Sequence, residues 1–335
     1  MIPMETQKVQ TTLLQATHRQ APRLAFAPSL ALVVLLALGA LPARAAGLLG
    51  EGTVVDSASG VVFVARPKGG IEAIDLTTGA SLWTSADAAK PLSITGGVLL
   101  AQAEPGEKGD LVLATLNPRT GALVRRSALA LPAGIRATVA DGLQGSFRVR
   151  AMAANAVDPA NPANTALFLA WTATRVPGPT RGRRVRPSLG VEGGAAPSGV
   201  LRGVARLDLG TGKIVAAVPG EAAGAAGEVD AGRFSLDGRY TLAAERIEGA
   251  LNDFSWTLTE RATGKVAGVL DVPASLAPIT VAGSAVVYLA RPSMRMEKGE
   301  ARSEPLRLRA LDLSTGAELW TREVRDLRFH GPFPP

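Results

Sequence analysis

Asp75-Leu76-Thr77-Thr78-Gly79-Ala80-Ser81-Leu82-Trp83 and Asp312-Leu313-Ser314-Thr315-Gly316-Ala317-Glu318-Leu319-Trp320 are nearly the same nonapeptide, at opposite ends of the chain. Three more stretches repeat its first half: Asn117-Pro118-Arg119-Thr120-Gly121, Asp208-Leu209-Gly210-Thr211-Gly212 and Glu260-Arg261-Ala262-Thr263-Gly264. Each is a carboxylate or amide, two variable residues, then Thr-Gly. The glycines are 42, 91, 52 and 52 residues apart, which is the period of a repeat architecture.

The flanks of the motif are β-type. Gly70–Asp75, Leu111–Leu116, Leu201–Leu209, Phe254–Thr259 and Leu306–Leu311 precede the five copies, and Ser81–Thr84, Leu123–Leu129, Ile214–Val218, Val266–Val272 and Glu318–Val324 follow them. Two such runs joined by a short Gly-containing turn predict a β-hairpin. In the turn, Asp75, Asn117, Asp208, Glu260 and Asp312 are expected to accept from backbone N–H groups of their own loop. Gly79, Gly121, Gly212, Gly264 and Gly316 are expected at φ > 0. The motif is therefore read as a turn lock and not as a chemical site.

Two further strand candidates precede each hairpin, such as Ile279–Val281 with Ala285–Ala290, or Leu92–Thr95 with Val98–Ala101. Past residue 46 no helical period extends beyond about two turns. Four strands per unit is the content of a propeller blade, so the expected fold is all-β, a β-propeller of four-stranded antiparallel blades. Five motif copies favour five blades. Six is the alternative, because the 91-residue interval also holds candidate strands at Ile135–Val139, Phe147–Ala151 and Leu167–Thr174.

Asp-x-x-Thr-Gly-x-x-x-Trp at 75–83 and 312–320 resembles the PQQ-like β-propeller repeat. That repeat is shared by quinoprotein dehydrogenases and by non-catalytic periplasmic propellers, among them the propeller lipoprotein of the outer-membrane β-barrel assembly machinery. Phe234–Tyr240 is similar to a turn common in other propeller families. The resemblance extends over 53–325, and it implies that Trp83 and Trp320 pack between neighbouring blades. Its catalytic branch implies about eight blades, a calcium ion held by carboxylate and amide oxygens, an Asp base and often a vicinal disulfide.

The first 45 residues read as an export signal. Lys8, Arg19 and Arg23 precede the uninterrupted apolar run Leu30–Leu38, and Ala43 and Ala45 supply a small-residue cleavage pattern. The alternative is a retained anchor, since Leu24–Leu41 is an uncharged span of 18 residues interrupted by Pro28 and Gly39. Residues 46–335 are then a single propeller domain. Removing 1–45 takes four basic residues and one acid, so the +7 of the chain falls to +4 and nucleic-acid binding loses its compositional support.

Chemistry-bearing residues are scarce. The absence of cysteine excludes disulfides, thiolate metal sites and cysteine nucleophiles. His330 is the only histidine beyond residue 45, and it stands in a Pro-rich tail without a nucleophile elbow. No catalytic, cofactor or metal residue is therefore assigned. One run stands out, Arg175, Arg181, Arg183, Arg184 and Arg186, inside a Pro/Gly-rich insertion over 175–199. It is a candidate contact for a protein partner or an anionic surface, against the alternative of a solvated loop. The combined expectation is an exported, non-catalytic scaffold with protein partners in the periplasm or cell envelope. A small quinoprotein-like dehydrogenase and an anion-binding envelope protein are the alternatives.

Overall fold

Each recurring turn closes the last hairpin of one antiparallel sheet, and the sheets follow one another along the chain. The computed structural model describes residues 47–104, 110–129, 131, 147–153, 166–174, 200–209, 211–217, 232–249, 253–273, 276–290, 294–297 and 300–327. The expected signal over 1–45, the candidate strand Ile135–Val139, the arginine run at 175–186 and His330 lie outside them. Among the described residues there is no helix, so none is long and apolar enough to cross a membrane.

Sheet 1 runs in the order β1 (Gly47–Gly50), β2 (Thr53–Asp56), β3 (Val61–Ala65), β4 (Ile71–Asp75) and β5 (Ser81–Ser85). Sheet 2 is β6 (Lys90–Thr95), β7 (Val98–Gln102), β8 (Leu111–Leu116) and β9 (Leu123–Leu129). Sheet 3 is β10 (Phe147–Ala153), β11 (Ala166–Thr174), β12 (Val200–Asp208) and β13 (Ile214–Ala217). Sheet 4 has β14 (Tyr240–Arg246), β15 (Asp253–Glu260) and β16 (Val266–Pro273), with a single bridge from Phe234 to Thr241 where a fourth strand was expected. In sheet 5, β17 (Ile279–Ala282) and β18 (Ala285–Ala290) pair with β21 (Arg307–Asp312) and β22 (Glu318–Glu323). Between β18 and β21 lies a separate hairpin, β19 (Met294–Glu297) and β20 (Glu300–Ser303).

Sheets 5, 1 and 2 are each covered on both faces, so β3 reads as the unbroken apolar run Val61-Val62-Phe63-Val64-Ala65. Val62, Val64 and Ile74 face Val287, Leu308 and Ala310 of sheet 5, while Phe63, Ile71 and Ala73 face Leu99, Ala101 and Leu116 of sheet 2. Sheet 2 turns Leu100, Leu111 and Leu113 toward Leu167, Leu169 and Leu207 of sheet 3. Sheet 5 turns Val281, Val286 and Tyr288 toward Leu242, Trp256 and Leu270 of sheet 4. The packing order is therefore 4-5-1-2-3, with the last sheet of the chain against the first. Consecutive up-and-down sheets packed face to face and joined last to first form a β-propeller.

Candidate functional site

The site begins with the five turns, which share one hydrogen-bond pattern. The motif's first residue accepts at its carbonyl from the glycine N–H, at 2.9 Å for Asp75 and Gly79 and 2.7–2.8 Å in the other four. Its own N–H donates to the carbonyl one residue past the glycine. The side chain closes the loop from inside. Oδ1 of Asp75 accepts from the N–H groups of Thr77 and Thr78 at 2.9 and 2.8 Å, and Oδ1 of Asp312 accepts from Ser314 and Thr315 at 3.0 and 2.9 Å. Asn117 does the same with a neutral amide oxygen toward Arg119 and Thr120. Asp208 accepts from the Thr211 N–H. Glu260, one methylene longer, reaches the Thr263 hydroxyl. Each motif threonine hydroxyl accepts from the N–H after the glycine, as between Ala80 and Thr78. The glycines sit at φ between +69° and +72°.

In two of the turns these bonds favour the ionised carboxylate, at Asp75 and Asp312. The Thr77 hydroxyl, and then the Thr78 N–H, lower the Asp75 pKa. The Ser314 hydroxyl and the Thr315 N–H hold Asp312 well below the usual carboxylate range.

Beyond the turn the outer strand is bulged. In β5 the register jumps so that Trp83 faces Ala73 and Ser81 faces Ile74, leaving Leu82 as the extra residue. The same slip leaves Val124 extra in β9, Ala267 in β16 and Leu319 in β22. A bulge re-aims the next side chain, and here that is the residue four past the glycine. Trp83 lies on Gly121 of sheet 2, Arg125 on Gly212 of sheet 3 and Trp320 on Gly79 of sheet 1. Gly268 fills the position in sheet 4, where its missing β-carbon admits the Leu313 carbonyl of sheet 5. Trp83 also donates from Nε1 to the Pro118 carbonyl at 2.9 Å and stacks obliquely on Phe63, 5.6 Å between ring centres. Trp320 Nε1 is buried without a partner, while Arg322 donates to the Gly79 carbonyl at 3.0 and 2.8 Å.

The bulge has a second effect on the rim. Among the described residues the exposed large hydrophobic side chains are Leu82, Leu123, Val124, Val266, Val269 and Leu319, and all six lie on outermost strands. Leu319, Leu82 and Val124, at 46–58% exposure, occupy the bulge position itself in sheets 5, 1 and 2. A slipped edge is a poor template for strand addition, so sheets 5, 1 and 2 each present an apolar side chain at the bulge and little free ladder.

A charged cluster sits inward of this rim. Lys90 opens β6 and is 2% exposed, and its Nζ donates to Glu51 Oε1 at 2.5 Å. Arg148 Nε of β10 stands 3.7 Å from the other Glu51 oxygen. Burial lowers the Lys90 pKa, and Glu51 opposes that shift. Lys90 faces Gln102 across β6 and β7, and the buried Gln102 Oε1 has no hydrogen-bond partner. The sequence reading missed both this cluster and the bulges. An apolar residue stands three past every motif glycine, Val215 of the unslipped β13 included, so the sequence does not mark the bulge.

The resemblance to quinoproteins asks for calcium ligands. Among the described residues no three of His, Cys, Asp and Glu are grouped to hold a metal ion, and the motif carboxylates and amide bond within their own turns. These residues do not fit the calcium–quinone pair.

No protein-family model and no curated protein matches the chain. Among solved structures it is similar to BamB from Moraxella catarrhalis, with 16% identity, 82% of this chain and 63% of that one covered, and a TM-score of 0.27. It is similar to a europium-containing methanol dehydrogenase, with 12% identity over 82% of this chain and 61% of that one, at a TM-score of 0.28. A third similar structure is the quinohemoprotein alcohol dehydrogenase ADHIIG from Pseudomonas putida HK5, with 14% identity, 81% and 52% coverage, and a TM-score of 0.25. The chain thus spans less than two thirds of the length of each.

Proposed function

We propose that this chain is an exported, non-catalytic β-propeller scaffold that holds protein partners in the periplasm or cell envelope. The observation that carries the reading is the rim. Three consecutive sheets expose Leu319, Leu82 and Val124 at equivalent bulges, and a contact spread over several sheets suits a protein partner better than a small substrate held in one pocket. The signal-like residues 1–45 support export. The arginines at 175–186 are assigned to the same role as a second contact.

The test is capture from envelope extract by the full mature chain, in parallel with the triple variant Leu82→Glu, Val124→Glu, Leu319→Glu. The expected result is a protein retained by the parent and lost by the variant, with both chains folded by circular dichroism. Equal retention by the two removes the rim from the account. The dehydrogenase alternative is checked by adding PQQ and calcium to the parent, where a saturable rise in melting temperature would overturn the scaffold reading. Replacing the five arginines by Ser, followed by sedimentation with anionic vesicles, isolates their part. Vesicle binding by the parent that the replacement abolishes favours the anionic-surface reading.

A further inference from the structure

The latch that joins the sheets is missing at one place. Of the five motif hairpins, only β12–β13 pairs without a register slip. Four residues past Gly212 stands Ala216, which carries only a methyl group. The turn it would reach is that of Gly264, and no described atom lies within 4 Å of a β-carbon built there. Sheets 3 and 4 are consecutive in the chain, so by the rule that holds for the other consecutive pairs they should be neighbours. Sheets 3 and 4 each have only one face in an apolar core shared with a described neighbouring sheet.

The two remaining faces have opposite charge. Strands β10–β13 contain four arginines and one acid, Asp208, which belongs to its turn. Cross-strand pairing puts Arg148, Thr172 and Arg202 in one row, Arg150, Ala170 and Val204 in the next, and Phe168 with Arg206 in a third. All four arginines are thus on the face that Leu167, Leu169 and Leu207 do not use, and all four are exposed. Sheet 4 is the converse. Strands β14–β16 contain four acids and one arginine. The face opposite Leu242, Leu258 and Leu270 carries Glu245, Ser255 and Asp271 in one row, Ala243, Thr257 and Val269 in another, with exposed Asp253 beside them.

We propose that these faces are each other's partner, so that the joint between sheets 3 and 4 closes by contact of Arg202 and Arg206 with Glu245, Asp253 and Asp271. The other four joints hold by apolar cores and by the residue four past each glycine. This one holds by charge around a small centre of Phe168, Val204, Ala243 and Val269. Exposed ion pairs weaken as salt is added, so this is the joint at which the ring opens first.

The chain has no cysteine, which permits a direct test in the full protein. Ala170→Cys and Thr257→Cys place one thiol at the centre of each face. Mild oxidation is expected to give an intrachain disulfide, seen as a faster band on a non-reducing gel. The band is expected to fade with added salt before oxidation, to be lost in the Arg202→Glu, Arg206→Glu background, and to return when Glu245→Arg and Asp271→Arg are added. No disulfide in the parent overturns the proposal. A disulfide-linked dimer alone overturns it in favour of a second copy as the occupant. A band indifferent to charge reversal overturns it by showing that charge does not hold the joint.

Discussion

A β-carbon placed on Gly79 would stand 2.5 Å from Cγ of Trp320, so the first motif turn accommodates the last tryptophan only as glycine. Gly264 has the same φ of +69° with nothing described within 4 Å. The pair separates two effects. Gly264→Ala is expected to cost about 1–2 kcal/mol, the price of a β-carbon in the left-handed region. Gly79→Ala adds overpacking against the indole, about 1–3 kcal/mol more. Urea denaturation of both variants reads the difference. Equal midpoints would mean that Trp320 does not bear on the first turn.

Trp83 and Trp320 occupy equivalent positions but differ at one atom. Trp83→Phe gives up the bond from Nε1 to the Pro118 carbonyl, a loss of about 1 kcal/mol. Trp320→Phe removes an N–H that has no partner, so it is expected to be neutral or slightly stabilising beyond the loss of ring area. Thermal melts of the two phenylalanine variants check the order.

Glu51 is the counter-ion of a lysine that is 2% exposed. Glu51→Gln leaves that ammonium buried without its charge partner, which is expected to destabilise by about 3 kcal/mol. The double variant Glu51→Gln, Lys90→Met removes the charge as well and is expected to recover most of the loss. A double-mutant cycle by denaturant titration measures it.

The turn carboxylates predict an acid response. Asp75 and Asp312 have pKa values lowered in the folded state by their hydroxyl and N–H donors. A carboxylate lowered on folding contributes stability above its unfolded pKa, near 4, and that contribution is lost as pH falls through the folded value. Asn117 performs the same turn with a neutral amide. Asp75→Asn and Asp312→Asn are therefore expected to retain the fold at pH 7 and to flatten the decline in melting temperature below about pH 4. A decline as steep as the parent's would place the acid sensitivity elsewhere.

The hairpins were legible because their chemistry is local. Asp or Asn, Thr and Gly at fixed spacing close a turn by bonds that span at most five residues, so Asp312–Gly316 can be read without its neighbours. The tryptophans were legible through the resemblance, which implies that Trp83 and Trp320 pack between neighbouring blades. The bulge was not, because register is a property of two strands and Leu82 or Val124 alone does not state which residue it faces. Nor was the Glu51–Lys90 pair, whose members come from different sheets. Arg148 and Arg150 of β10 were not singled out in the sequence. That their face lacks an apolar neighbour follows only from the packing order of the sheets.

The central claim is that the rim of bulged outer strands is where this propeller meets its partner. Site-specific photo-crosslinking in intact cells tests it most directly, with a benzophenone amino acid placed in turn at Leu82, Val124 and Leu319, and at exposed Ala58 in the β2–β3 turn as a control. The account predicts the same protein adduct from all three rim positions and none from Ala58. An adduct from the control position alone, or none from any rim position, would contradict it.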